Sequence, residues 1–436
     1  MVVFRPLRGW RYNPDIVGDL ASALCPPYDL INPELQKSLY HSSPYNAVRL
    51  ESGERLESDD AADNRYTRAA AVFGDWLQRR VLVRDAEPSF YLLRYGYRFR
   101  GQSKAQLALV GGVRLEDYER LVVLPHEYTW DPAVRDRLAL LEACKANFSP
   151  IMSLYRDPAG QLTPIFNEVI ASEPVLQVCD RREQEFVLWR VADPKLQDRF
   201  GEFFADRVVY LADGHHRYEA ALKFREKQGP VALPIQSTSA QGGDDASSNF
   251  VMMALIEFDD PGLMVLPYHR VVGGLTPPVF TRLRDRLHEV FEIQPINGST
   301  GRGVEGVLEE VQHYGGSRQV VGLVGPDGEG PYLLMLREAP GLKNWGPLAV
   351  SEAWVLEEQV LKPVLGDSLH QHLRYVHDHD EAVGQVTSGE DQMAFLLNPF
   401  PMDRFETIVG SGNRLPPKST FFYPKLPTGL VINQLD

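Results

Sequence analysis

The chain has 436 residues, 44% hydrophobic and 24% charged, the usage of an ordinary globular protein with room for two or three domains. Its formal charge of −14 excludes bulk electrostatic binding to nucleic acid or an anionic membrane, but not a small phosphate ligand, which feels the field of one loop. Three cysteines, Cys25, Cys144 and Cys179, form no CxxC pair, which excludes a disulfide framework and a zinc ribbon.

The N-terminus lacks the charged-then-apolar pattern of a leader, and no apolar run is long enough to span a bilayer, so the expected location is the cytoplasm. Up to about Arg49 the chain is rich in Pro, Tyr and Asn, and Pro26-Pro27-Tyr28-Asp29 and Ser43-Pro44-Tyr45-Asn46 read as ordered turns. From Asp60 to Arg80, Tyr66, Ala69, Ala70, Phe73, Trp76 and Leu77 recur at helical spacing. Phe90 to Phe99 and Gln106 to Arg114 are β-rich and read as a hairpin across the polar Arg100–Ser103 stretch.

A short strand, Val122 to Leu124, delivers the chain to His126-Glu127, before a helix over about Val134 to Ala146. Strands are expected at Val175 to Val178, Phe186 to Val191 and Val208 to Leu211, with a helix from Lys195 to Phe204 between the last two. Ser237 to Ser248, with little apolar content, reads as a mobile loop or lid. Phe250 to Phe258 reads as a buried strand.

The remainder alternates. Helices are expected at Pro278 to Val290, Gly303 to Tyr314 and Val350 to Leu361, and strands at Val320 to Val324 and Tyr332 to Arg337. Helices Asp378 to Thr387 and Met402 to Val409 flank a strand at Met393 to Leu397. The expected class is α+β, in two lobes: 1–260, carrying the turn described next, and 261–436, able to complete the same site.

Between the buried strand at Val208 and the helical run Tyr218–Phe224 lies Asp213-Gly214-His215-His216-Arg217. A Gly-containing turn that opens a helix points backbone N–H groups outward, with the positive end of the helix dipole behind them, and so suits an anion. Gly214 lets the backbone approach a ligand, Arg217 can grip phosphate oxygens with two N–H groups, and His215 and His216 add donors. Asp213 is placed to hold magnesium or accept a proton. The competing reading is a capped turn with solvated histidines.

The stretch Ala212 to Ala220 resembles the signature of an uncharacterised bacterial and archaeal family, the group of domain of unknown function ten-fifteen. Pro26–Asp29, Pro44–Leu50, His126-Glu127 with Asp136-Arg137, and Lys418-Ser419-Thr420 match it as well, so the resemblance spans nearly the whole chain. Gly214 to Ala220 is also similar to the Gly-x-x-Arg-x-x-Ala loop of the ParB and sulfiredoxin superfamily, which binds nucleotide phosphates. That resemblance implies a ParB/sulfiredoxin-like nucleotide-binding core elaborated by further strands and helices. Free serine kinases of that superfamily carry a similar loop, which implies phosphoryl transfer to a small hydroxyl substrate such as free L-serine. Sulfiredoxin needs a cysteine where His215 stands, which disfavours sulfinic-acid reduction.

Glu127, at a strand end, is a candidate base, with Asp213 and His216 as further catalytic candidates. His126-Glu127 is not the HExxH zinc motif, because Trp130 replaces the second histidine. Lys418, Ser419 and Thr420, with Lys425, could form a second phosphate clamp, and His269-Arg270 reads as an anion contact or a structural pair. The expected cofactors are Mg2+, with Asp213 as a ligand, and a nucleotide or pyrophosphate as phosphate donor. A non-catalytic nucleotide switch resembling ParB and a phosphoserine phosphatase are the alternatives.

Overall fold

The computed structural model describes residues 1–180, 182–229, 246–296, 303–315, 318–325, 331–337, 348 and 351–435. The fold is mixed α+β, in two compact units: residues 1–264 together with 424–436, and residues 265–423. The chain thus leaves the first unit after Met264 and returns to it at Pro424. Of the expected lid Ser237 to Ser248, all but Ala246–Ser248 lies outside the described residues, as does Val350, expected to begin a helix.

The first unit is built on a nine-stranded mixed sheet. From one edge its strands are Val123–Pro125, Val209–Asp213, Ile151–Tyr155, Phe250–Glu257, Gln102–Arg114, Phe90–Phe99, Glu185–Val191 and Leu176–Cys179, with Phe4–Arg5 paired beside Gln102–Arg114. The hairpin is tighter than expected. Phe99 pairs with Gln102, and Arg100 and Gly101 both adopt positive φ, 46° and 78°, the two-residue turn whose twist matches paired strands.

Helices start where the chain supplies caps. Asn64 and Thr67 form a reciprocal capping box on Arg65–Gln78. Pro132 sits in the first turn of Asp131–Cys144, whose missing N–H costs nothing there. Phe4, Phe90, Phe200 and Phe204 close one face of the sheet, with ring centroids 4.6–5.4 Å apart. Gly111 is required beneath them, since a Cβ there would lie 2.6 Å from the Phe4 ring.

The second unit holds a six-stranded antiparallel sheet, in the order Phe291–Pro295, Tyr332–Leu336, Val320–Val324, Met393–Leu396, His269–Val272, Leu373–Val376. Period-two alternation sends Val321, Leu334 and Phe395 to one core and Val320, Leu333 and Ala394 to another, so helices cover both faces. The expected helix Val350 to Leu361 is α-helical only over Glu352–Trp354, then widens to π geometry over Val355–Leu361.

Candidate functional site

Strand Val209–Asp213 runs parallel to Val123–Pro125, with Leu211 level with Pro125, so Asp213 and Glu127 emerge at the same sheet end. Against Ile151–Tyr155 the register shifts between Leu211 and Asp213, a bulge that re-aims the last side chain. Gly214 follows with φ 95°, and helix His215–Gln228 starts at once with no side-chain cap. Only glycine suits this position. Beyond the positive φ, a Cβ would lie 2.9–3.1 Å from the Arg217 guanidinium, which folds back over it.

Arg217 is held by three acceptors. Its Nη2 donates to Asp213 Oδ2 at 2.7 Å, and its Nη1 donates to Ser149 Oγ at 2.7 Å and to the Pro150 carbonyl at 2.9 Å. Its Nε is buried with no protein partner. The other oxygen of Asp213, Oδ1, lies 2.7 Å from Lys425 Nζ, and Lys425 also pairs with Asp29. Burial opposes ionisation of Asp213, but Lys425 and Arg217 outweigh it and hold the carboxyl well below the usual carboxylate range. Such a group is a poor proton acceptor. Both oxygens of Asp213, expected as a magnesium ligand, are engaged by cations here. Among the described residues no three His, Cys, Asp or Glu side chains converge as a metal site.

The two histidines accept where donors were expected. The His126 N–H points to His215 Nε2 at 3.3 Å, and the Trp130 N–H to His216 Nε2 at 3.0 Å. In this arrangement each Nε2 serves as the acceptor of a backbone N–H. His126 Nδ1 lies 2.6 Å from the Leu211 carbonyl and His216 Nδ1 3.4 Å from the Tyr28 hydroxyl. The pair thus pins the loop carrying Glu127, which is half-buried, at both ends against the helix start.

Behind Arg217 lies a cavity of about 40 Å³ bordered by Glu51, Arg137, Asn147, Ser149 and Arg217. Ser149 Oγ is within 3.3–3.4 Å of both Glu51 oxygens, and Arg137 donates to the Glu51 carbonyl at 2.9 Å and to Asp136 at 2.5 and 2.8 Å. The Arg137 guanidinium lies 4.1 Å over the Tyr28 ring. Burial pushes the Tyr28 hydroxyl up to about 12, against the pull of Arg137.

Asp213, Gly214, His215, His216, Arg217 and Glu127 are therefore gathered in the first unit. Lys418, Ser419 and Thr420 belong to the second, where Ser419 Oγ donates to the Pro416 carbonyl at 2.7 Å and the Lys418 carbonyl accepts from Arg270. Ser419 is thus a turn residue. Arg270 is fully buried on Glu357, at 2.7 and 3.0 Å, so of its two readings the structural pair holds. Of the other residues at the site, Glu51 carries no expectation from the sequence, Tyr28 is expected only as part of an ordered turn, and Lys425, expected as part of a phosphate clamp, instead pairs with Asp213 and Asp29.

The model of a family described as a protein of unknown function, DUF1015, matches residues 4–360, and the chain belongs to that family. No curated protein matches it. Solved structures with similar chains include a free serine kinase in complex with AMP, at 12% identity and TM-score 0.36, covering 75% of this chain and 91% of that one. SbnI with a C-terminal truncation, from Staphylococcus aureus, gives 12% and 0.38, covering 74% and 87%. A conserved hypothetical protein from Pyrococcus furiosus gives 12% and 0.35, covering 75% and 95%.

Proposed function

We propose that the Asp213–Arg217 turn holds the phosphates of a nucleotide or pyrophosphate donor and that the protein is a phosphotransferase acting on a small hydroxyl substrate. The supporting observation is Arg217, fixed over Gly214 at an uncapped helix start with a buried Nε lacking a protein partner. A planar guanidinium held in this way is matched to phosphate oxygens. In the transfer, the acceptor oxygen forms the new P–O bond and the donor's bridging P–O bond breaks, while the hydroxyl proton passes to Glu127. Phosphoryl transfer asks mainly for positioning and charge neutralisation.

Asp213 serves here as an anchor that keeps Arg217 aligned, and His216 as a positioning residue for the Glu127 loop. Neither takes the proton. No step runs through a magnesium ion on Asp213.

The test incubates the purified chain with magnesium, L-serine and, in turn, ATP, ADP, CTP and pyrophosphate, and looks for phosphoserine. L-Serine is tried first because the loop's sequence resemblance suggests it, and other small alcohols follow. Nucleotide binding with no phosphorylated product from any acceptor would replace this reading with a nucleotide switch.

A further inference from the structure

The loop between His126 and Trp130 is anchored at both ends yet turns two large aromatic side chains to solvent. Tyr128 is 66% and Trp130 68% exposed, and among the described large hydrophobic residues only Met1 exceeds them. Chain mobility does not explain this at Trp130. Its N–H donates to His216 Nε2 at 3.0 Å, and its carbonyl accepts from Ala133 and Val134 at 3.0 and 3.1 Å, as helix Asp131–Cys144 begins. An indole left in water on a fixed backbone gives up apolar burial without a gain in freedom.

Its position indicates what covers it. The residue that receives the Trp130 N–H is His216, in the first turn of the phosphate-binding helix, so a ligand whose phosphates lie on that turn carries its remaining body past this loop. We infer that Trp130, with Tyr128 beside it, stacks on the aromatic base of a nucleoside phosphate, so that the donor is a mononucleotide and not pyrophosphate. This rests on the phosphate-binding reading above. A flat π-face gains on a rigid indole, whereas pyrophosphate presents nothing to stack. A polynucleotide would have to approach a chain of net charge −14, which favours a single nucleotide.

The experiment titrates the full chain and its Trp130→Ala and Trp130→Phe variants with ADP and with pyrophosphate, by calorimetry and by indole fluorescence, in magnesium buffer. Thermal melting verifies that the variants are folded. Trp130→Ala should weaken ADP about tenfold or more and abolish the ADP-dependent fluorescence change, with a much smaller effect on pyrophosphate. Trp130→Phe should restore most of the ADP affinity. Equal ADP affinity in the parent and Trp130→Ala would remove the indole from the site while leaving the phosphate reading intact. If the parent binds neither ligand, the phosphate reading fails and this inference fails with it.

Discussion

Arg217 satisfies Asp213, Ser149 and Pro150 at once, so its removal acts on both the ligand and the fold. Arg217→Ala is expected to weaken pyrophosphate or nucleotide binding by about 1.5–3 kcal/mol, the range for charge-assisted hydrogen bonds. Calorimetry on the folded variant checks this, and an unchanged dissociation constant would take the turn out of the site. Glu127 is tested separately. Glu127→Gln keeps the side chain's shape but not its basicity, and should lower turnover by roughly 10²–10⁴-fold at saturating donor and acceptor with donor affinity retained. Turnover near the parent's would end the base assignment, and because Asp213 is held ionised by Lys425 and Arg217 it could not replace Glu127. At this scale the sequence exposed the residues but not their polarity. The turn was legible because five contiguous residues carry it. That His215 and His216 accept depends on which backbone N–H groups the fold brings to them. Lys425 meets Asp29 across 396 positions, a pairing no local pattern encodes.

Elements with a strong period were read closely. The expected Phe186 to Val191, Lys195 to Phe204 and Met393 to Leu397 each fall within one residue of the observed ends. Two central strands, Ile151–Tyr155 and His269–Val272, were not read. Both are short and lie between two neighbours, so neither shows the alternation that marks a half-exposed strand. The π segment Val355–Leu361 also escaped notice, since it shares the apolar spacing of an α-helix, yet it bears the Glu357 that receives Arg270. Strand His269–Val272 carries a pH response. Burial, reinforced by His379 and Arg270, lowers His269 from its ordinary 6.5 to about 3, and its Nδ1 accepts from the Leu397 N–H at 3.1 Å. Between those two values the unfolded chain binds a proton that the folded one refuses. Stability of the second unit should therefore fall by about 1.4 kcal/mol per pH unit as pH drops below about 6.5. His269→Asn keeps an acceptor for Leu397 but cannot titrate. Denaturant midpoints for the second unit's transition at about pH 7.5 and about pH 5 should separate for the parent and converge for the variant. Equal pH sensitivity in the two proteins would assign the response to another group.

At the scale of the whole molecule, the chain inserts its second unit between residues 264 and 424 of the first, a return that no local pattern in the sequence encodes. Residues 424–435 are woven into the first unit. Asn433 and Gln434 pair with Asn147 and Ala146, Ile432 bridges Trp10, and Thr428 bridges Cys25. Leu426, Leu430, Val431, Ile432 and Leu435 are all buried. At about 1.5–3 kcal/mol for each buried aliphatic side chain, those five contribute on the order of a domain's entire stability, about 5–15 kcal/mol. A chain ending at Tyr423 is therefore expected to lose the cooperative fold of its first unit, while Lys425→Ala in the full chain removes two ion pairs, to Asp29 and Asp213, and keeps that fold. Hydrogen exchange read by mass spectrometry separates the two units. In the truncated chain the amides of Val209–Asp213 should exchange as in an unfolded chain, while those of His269–Val272, held in the other sheet, stay protected. Retained protection at Val209–Asp213 would show that the first unit folds without its last segment and that Lys425 merely docks onto a turn already formed.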